Sequence, residues 1–136
     1  MTAADRPAAD RLAEIEARFE AATDGPWVAV MGASGGWWVE QPNTATIADI
    51  DVDYSGNPDA NAHLIAHART DLPATMKALR AVLELHKDGG ESPGYTENDY
   101  EDIAHCCTTC GSFGEYGEPY PCDTVRAITE ALDGAS

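Results

Sequence analysis

The chain is expected to fold as an α+β protein: a small three-stranded antiparallel sheet packed on two or three helices, with a zinc-knuckle-like unit at the C-terminal end. Three observations carry this expectation. Apolar residues recur at helical spacing in two long stretches. Between them, β-branched and aromatic residues gather in three short runs separated by turn residues. Near the end, four cysteines fall within seventeen positions. A chain of 136 residues suits one body with a small appendage, and the boundary is expected near residue 90, with an α+β body over 1–90 and a metal-tied tail over 91–136.

Residues 8–22 read as an amphipathic helix. Leu12, Ile15 and Phe19 recur at helical spacing, Ala8 and Ala22 extend the stripe, and Gly25-Pro26 stops it. A three-stranded meander follows: Trp27 to Met31, Trp37 to Gln41 and Thr44 to Ile50, with turns at Gly32 to Gly36 and at Pro42-Asn43. Strict alternation in the third strand sends Ala45, Ile47 and Asp49 to one face and Thr46, Ala48 and Ile50 to the other. A sheet this small needs helices on one face. After an acidic turn from Asp51 to Pro58, a helix begins near Asp59, with Ala62, Leu64, Ile65 and Ala68 along one side. Pro73 predicts a break near Thr70 to Pro73 and a second helix, capped by Thr70 or Asp71, that runs to about Lys87 before Gly89-Gly90. A last short helix starts at Cys122 or Asp123 and runs through Leu132, with Val125, Ile128 and Leu132 as its apolar stripe.

The cysteine spacing carries the most chemistry. Cys107 and Cys110 form a Cys-x-x-Cys turn that can aim two thiolates at one ion, and Gly111 allows a sharp turn behind it. Cys122 can return as a third ligand across Ser112 to Pro121, a stretch containing Gly114, Gly117, Pro119 and Pro121. Structural zinc takes four sulfur or imidazole ligands. The fourth is open between His105, which alternates with Cys107, and Cys106, whose side chain should point away from that of Cys107 on an extended backbone. Disulfides and free redox thiols are the competing readings. The first lacks an export segment to support it. The second lacks the strand and helix context of a redox Cys-x-x-Cys, because an acidic loop, Glu97 to Asp102, precedes it. Nothing beside the ligands supplies a helical His or Glu for catalysis, so a closed, structural zinc site is expected.

Charge narrows the partners. Eight basic against 24 acidic residues leave a formal net charge of −16, and Lys77 and Lys87 are the only lysines. Direct nucleic-acid binding is not expected, since phosphates need clustered Lys and Arg. The acidity favours solubility, and an acidic face could also occupy a basic surface of a host protein. No run approaches the ~18 apolar residues of a membrane span, and the first residues carry neither a basic start nor an apolar core, so a cytoplasmic protein is expected.

Several residues are candidates for ligand binding. Adjacent Trp37 and Trp38 must point to opposite faces of a strand, so that if one joins the core the other faces solvent, a helix or a partner. His63 and His67 stand at i, i+4 on one helix face, a spacing that can hold metal, although the sequence is not His-Glu-x-x-His. Arg69 could hold a phosphate or pair with Asp71. Gly32 to Gly36 is glycine-rich but precedes a strand and lacks the lysine of a phosphate loop, so it reads as a hairpin turn. No catalytic constellation is present in the sequence.

Three stretches, Leu12 to Arg18, Ala21 to Trp27 and Asp59 to Pro73, together resemble the Ead/Ea22-like small proteins encoded by bacteriophages and prophages, especially those of actinobacteria. The resemblance covers roughly residues 10–85. The tail, with Cys107 to Gly111 and Tyr120 to Ile128, is similar to a cysteine-bearing ending of small actinophage proteins. The resemblance implies a phage accessory protein that acts on the infected host, as inhibitors of bacterial immunity or as sponges for nucleotide-derived signals do. It brings no catalytic residues. The leading expectation is a non-enzymatic binder of a host or defence protein or of a nucleotide-derived small molecule, and a homo-oligomer could gather its few cations in a shared pocket. The alternatives are a small phosphoester or nucleotide hydrolase using His63, His67 or the metal site, and a structural or assembly module.

Overall fold

The computed structural model describes residues 7–51, 56–95, 99–112 and 116–134. Among these, the order of elements is α1 (Ala8–Ala21), β1 (Val28–Met31), β2 (Trp37–Gln41), β3 (Ala45–Ile50), α2 (Pro58–Leu85), β4 (Ser92–Tyr95), β5 (Tyr100–Ile103), β6 (Cys106–Ser112), β7 (Tyr116–Pro119) and α3 (Asp123–Gly134). The fold is α+β, with three helices and a three-stranded antiparallel sheet. The chain divides into two compact units, one of Glu16–Lys77 and one of Met1–Ile15 with Ala78–Ser136. The boundary expected near residue 90 lies inside the second of these. Most of the acidic turn after Asp51 lies outside the described residues, as do two residues of the Glu97 to Asp102 loop.

In the unit of Glu16–Lys77, β1, β2 and β3 form the meander in sequence order. Gln41, Pro42, Asn43 and Thr44 make the second turn, with the Thr44 N–H donating to the Gln41 carbonyl at 3.1 Å. Asn43 takes a φ of 63°, which suits the third position of a type II turn behind a proline. Val39, at the centre of β2, is fully buried against Ala62 and Ala66 of α2, and Trp27, Ala29, Trp37 and Ile65 pack around them. The two alanines let the helix approach the sheet closely.

The alternation expected along β3 is interrupted. Val39 pairs with Ala48 but Glu40 pairs with Thr46, which leaves Ile47 as an extra residue. This bulge turns the strand locally, so that Ile47, Ala48 and Ile50 all pack against the core where strict alternation would have parted them.

Helix α2 is continuous from Pro58 to Leu85, with Pro73 inside it; the expected break does not occur. Its start is well specified: the Asn57 side-chain oxygen accepts the Ala60 N–H at 3.2 Å, and Pro58 fills the first helical position, where no N–H is needed. Pro73 removes one donor, so the Arg69 carbonyl loses its helical partner, while the turns on either side continue. The physical reason for continuity is tertiary: Ala62, Ala66 and Met76 on either side of the proline are all buried, and their burial outweighs one missing hydrogen bond. Pro73→Ala is therefore expected to raise stability, by up to about 3 kcal/mol if the helix straightens without strain. Urea unfolding followed by circular dichroism checks this.

In the other unit, Ala8 and Leu12 are buried on α1. The tail, expected as a metal-tied unit with no strands assigned to it, forms two antiparallel hairpins, β4 with β5 and β6 with β7. Residues 113–115, part of the loop expected from Ser112 to Pro121, lie outside the described residues. Glycines permit the close approach of these strands. A Cβ on Gly94 would sit 2.4 Å from the Ile103 side chain and 2.6 Å from the Gly117 carbonyl, and one on Gly117 would sit 2.8 Å from Cys106 Sγ. Cys106, Cys107, Cys122 and Val125 are all buried, and the last three form a small core with Leu83, Cys110 and Tyr120 against them.

Candidate metal centre

Four side chains converge in that small core: His86, Cys107, Cys110 and Cys122, whose potential ligand atoms all lie within 4.8 Å of one another. His86 Nδ1 stands 3.6 Å from Cys107 Sγ, 3.4 Å from Cys110 Sγ and 3.6 Å from Cys122 Sγ. A tetrahedral centre with metal–sulfur bonds of about 2.3 Å and metal–nitrogen bonds of about 2.0 Å has nitrogen–sulfur edges of about 3.6 Å. The three observed separations match those edges, so the four residues can hold one metal ion.

Each ligand is placed by a local feature. His86 follows directly on α2, and its N–H extends the helical pattern to the Val82 carbonyl at 3.1 Å. The knuckle caps that helix end. Thr108 Oγ1 donates to the Leu85 carbonyl at 2.7 Å, and the Thr109 hydroxyl donates to the same oxygen, satisfying a carbonyl that has no helical partner. The Thr108 N–H bonds the Lys87 carbonyl at 3.0 Å. Gly111, with a φ of 70°, takes the left-handed conformation that the turn behind Cys110 requires. Cys122 stands just ahead of α3, and its carbonyl accepts the Arg126 N–H at 2.9 Å.

The thiols show why this cluster suits a cation. Burial pushes the Cys107 thiol up, but the N–H groups of Thr109 and Cys110 and the side chains of His86 and Cys122 outweigh it and bring the thiol down to about 7. Cys110 is pushed up to about 12, first by burial and then by its hydrogen bonds and charge interactions with Cys122 and Cys107. One thiolate forms readily, and a further one next to it forms only against strong repulsion. A bound cation reverses that balance. Metal affinity is accordingly expected to fall as pH drops below 7, because the Cys107 proton must then also be displaced. Calorimetric titration in buffers of different ionisation enthalpy should show proton release that grows as pH falls.

His105 is not part of the cluster, which corrects the expected ligand set. Its side chain is 70% exposed and its Nδ1 pairs with Asp88 Oδ2 at 2.6 Å. The Asp88 carboxyl is held below its ordinary range by the Gly90 N–H and then by His105. His105 precedes β6, and its carbonyl accepts the Tyr120 N–H at 2.8 Å. Cys106 points away from Cys107 as expected. Its Sγ lies 3.7 Å from the Ser92 carbonyl and 3.6 Å from that of Ile103, and burial pushes its thiol up. None of the four cysteines is disulfide-bonded. His86 had one sequence signal: a histidine in the last turn before Gly89-Gly90, upstream of the Cys-x-x-Cys pair.

The other candidate residues all lie in the unit of Glu16–Lys77. Trp37 packs on the core, and its ring meets that of His63 with centroids 5.4 Å apart. Trp38, on the opposite face, donates from Nε1 to Glu40 Oε2 at 2.7 Å and covers Gly32, where a Cβ would come within 2.8 Å of the ring. It folds over its own hairpin. Arg69 is not available for phosphate. Its guanidinium lies 3.9 Å from the centroid of Phe19 and 5.7 Å from that of Trp27, donates to the Phe19 carbonyl at 2.8 Å and stands 3.5 Å from Asp24. The expected pairing with Asp71 is replaced by these contacts. A shallow groove of about 320 Å³ is lined by Asp49, Ile50, Asp51, Asn61, Leu64 and Ile65. No helix among the described residues is long and apolar enough to cross a membrane.

No family model, no characterised protein and no solved structure matches the chain.

Proposed function

We propose that the protein is a zinc-tied, non-enzymatic accessory binder of phage type that counters a host or defence component by occupying a surface of a protein. The observation that carries the zinc assignment is the trio of nitrogen–sulfur separations at His86 Nδ1, 3.4 to 3.6 Å. Three thiolates with one imidazole favour zinc over harder cations, and a fourfold protein ligand set leaves no position for a reacting water. The zinc is thus structural, and it ties together a tail whose own apolar surface is small. Native mass spectrometry with and without chelator tests this: about one zinc per chain is expected, and none, or bridged sulfurs, would overturn it.

The binding role rests on the resemblance to Ead/Ea22-like phage proteins. Two features favour a protein over a nucleotide-derived signal as the target. Arg69, a cation that a phosphate would need, is engaged within the fold. The groove is lined by the apolar Ile50, Leu64 and Ile65 together with Asp49, Asp51 and Asn61, a mixture that complements an apolar side chain flanked by Lys or Arg. Capture from bacterial lysate with the wild-type protein and with Leu64→Asp distinguishes the outcomes. A host protein retained only by the wild type and displaced by a basic, apolar peptide fits. A nucleotide that co-purifies in place of a protein returns the reading to signal sequestration, for which a homo-oligomeric pocket would be needed.

A further inference from the structure

We propose that His63 and His67 form a second divalent-cation site, a two-imidazole chelate on an exposed face of α2, separate from the cysteine cluster and independent of its metal. His63 Nδ1 lies 2.9 Å from the Asp59 carbonyl and 2.8 Å from Asp59 Oδ1. Both partners are acceptors, so Nδ1 carries the proton, and the lone pair of the neutral ring lies on Nε2. A carboxylate on one ring nitrogen that leaves the other for a metal is the arrangement that orients histidine ligands in metalloproteins. The Trp37 ring, tilted 59° to that of His63 with centroids 5.4 Å apart, fixes the imidazole from the side.

His67 stands one turn further along. Its ring lies 6.4 Å from that of His63, 22° from parallel, and makes no hydrogen bond among the described residues. Two imidazoles sharing a tetrahedral cation through bonds of about 2.0–2.1 Å have centroids about 5 Å apart. Rotation of the exposed His67 side chain on binding has to close the difference of about 1.4 Å. Imidazole pairs select zinc, nickel or copper over calcium or magnesium. Two protein ligands with water completing the sphere make an exchangeable site, weaker than the cysteine cluster.

The test uses the full chain loaded with one equivalent of zinc, titrated with further Zn²⁺ in mildly alkaline buffer and followed by imidazole nitrogen NMR. Before addition, His63 is expected as the Nδ1–H tautomer. Further zinc should shift the Nε2 resonances of both histidines together and saturate at one added ion. His67→Gln and Asp59→Asn should each weaken this step by about tenfold or more, while the first equivalent stays bound. An Nε2–H tautomer at His63, the absence of a second step, or a second step unchanged in His63→Gln and His67→Gln overturns the site; in the last case the acidic surface holds the ion. Loss of the first equivalent alone would speak to the cysteine cluster, since the histidine resonances report this site separately.

Discussion

With zinc held as proposed, His86→Ala is expected to release the ion and leave the tail unfolded, whereas His105→Ala keeps one ion per chain and changes the melting temperature little. Binding of structural zinc contributes on the order of 10 kcal/mol to a small domain, and loss of one of four ligands forfeits a large share of it. The segment concerned has little else to hold it. Its fully buried side chains are chiefly the cysteines themselves, and its strands are four to seven residues long, rich in glycine, proline and acidic residues. His86→Cys supplies a control for general damage at the helix end: a four-thiolate site should retain zinc. Elemental analysis beside thermal melts with and without chelator reads all three variants. Zinc lost with His105 and kept without His86 would reverse the assignment of the fourth ligand.

Arg69→Ala should cost about 2–4 kcal/mol, the second largest effect expected in the chain. The side chain is only 9% exposed, and truncation removes a charge-assisted bond to the Phe19 carbonyl near the end of α1, which keeps only the Ala22 N–H at 3.2 Å. It also removes the guanidinium from between the Phe19 and Trp27 rings, contacts worth about 0.5–2 kcal/mol when desolvated. The ion pair with Asp24 contributes little, because that carboxylate is 93% exposed. Arg69→Lys should recover only a minor part, since an ammonium cannot stack and donate in one plane. Denaturant unfolding followed by tryptophan fluorescence measures both. A loss below about 0.5 kcal/mol would mean that the ring and carbonyl contacts are not what holds this corner.

Much of the fold was legible in the residues. Leu12 and Ala8 mark the buried face of α1, β1 and β2 fall where the valines and tryptophans gather, and the Gly32 to Gly36 turn joins them as expected. Two errors in the body have one origin. Pro73 and the alternation of β3 were read by local rules, and both rules yielded to packing: buried residues on either side of Pro73 keep α2 whole, and a bulge at Ile47 turns an extra apolar residue inward. Arg69 departs from expectation for a related reason: the carbonyl it binds, that of Phe19, lies 50 positions earlier in the chain, beyond the reach of any spacing argument.

Local chemistry thus determined what the chain contains: helices of 3.6-residue period, a meander of β-formers, and three sulfurs at intervals suited to one ion. Only the tertiary structure decided which distant groups meet. His86 joins those sulfurs because the end of α2 and the Cys-x-x-Cys turn share hydrogen bonds at Leu85 and Lys87, whereas the ring of His105, two residues from Cys107, pairs with Asp88 instead. The hairpins of the tail are equally tertiary, since Gly94 and Gly117 carry no strand propensity and count only where two backbones must touch. Propensity and period act over a turn or two, whereas coordination and close packing select among groups that the chain brings together from tens of residues apart.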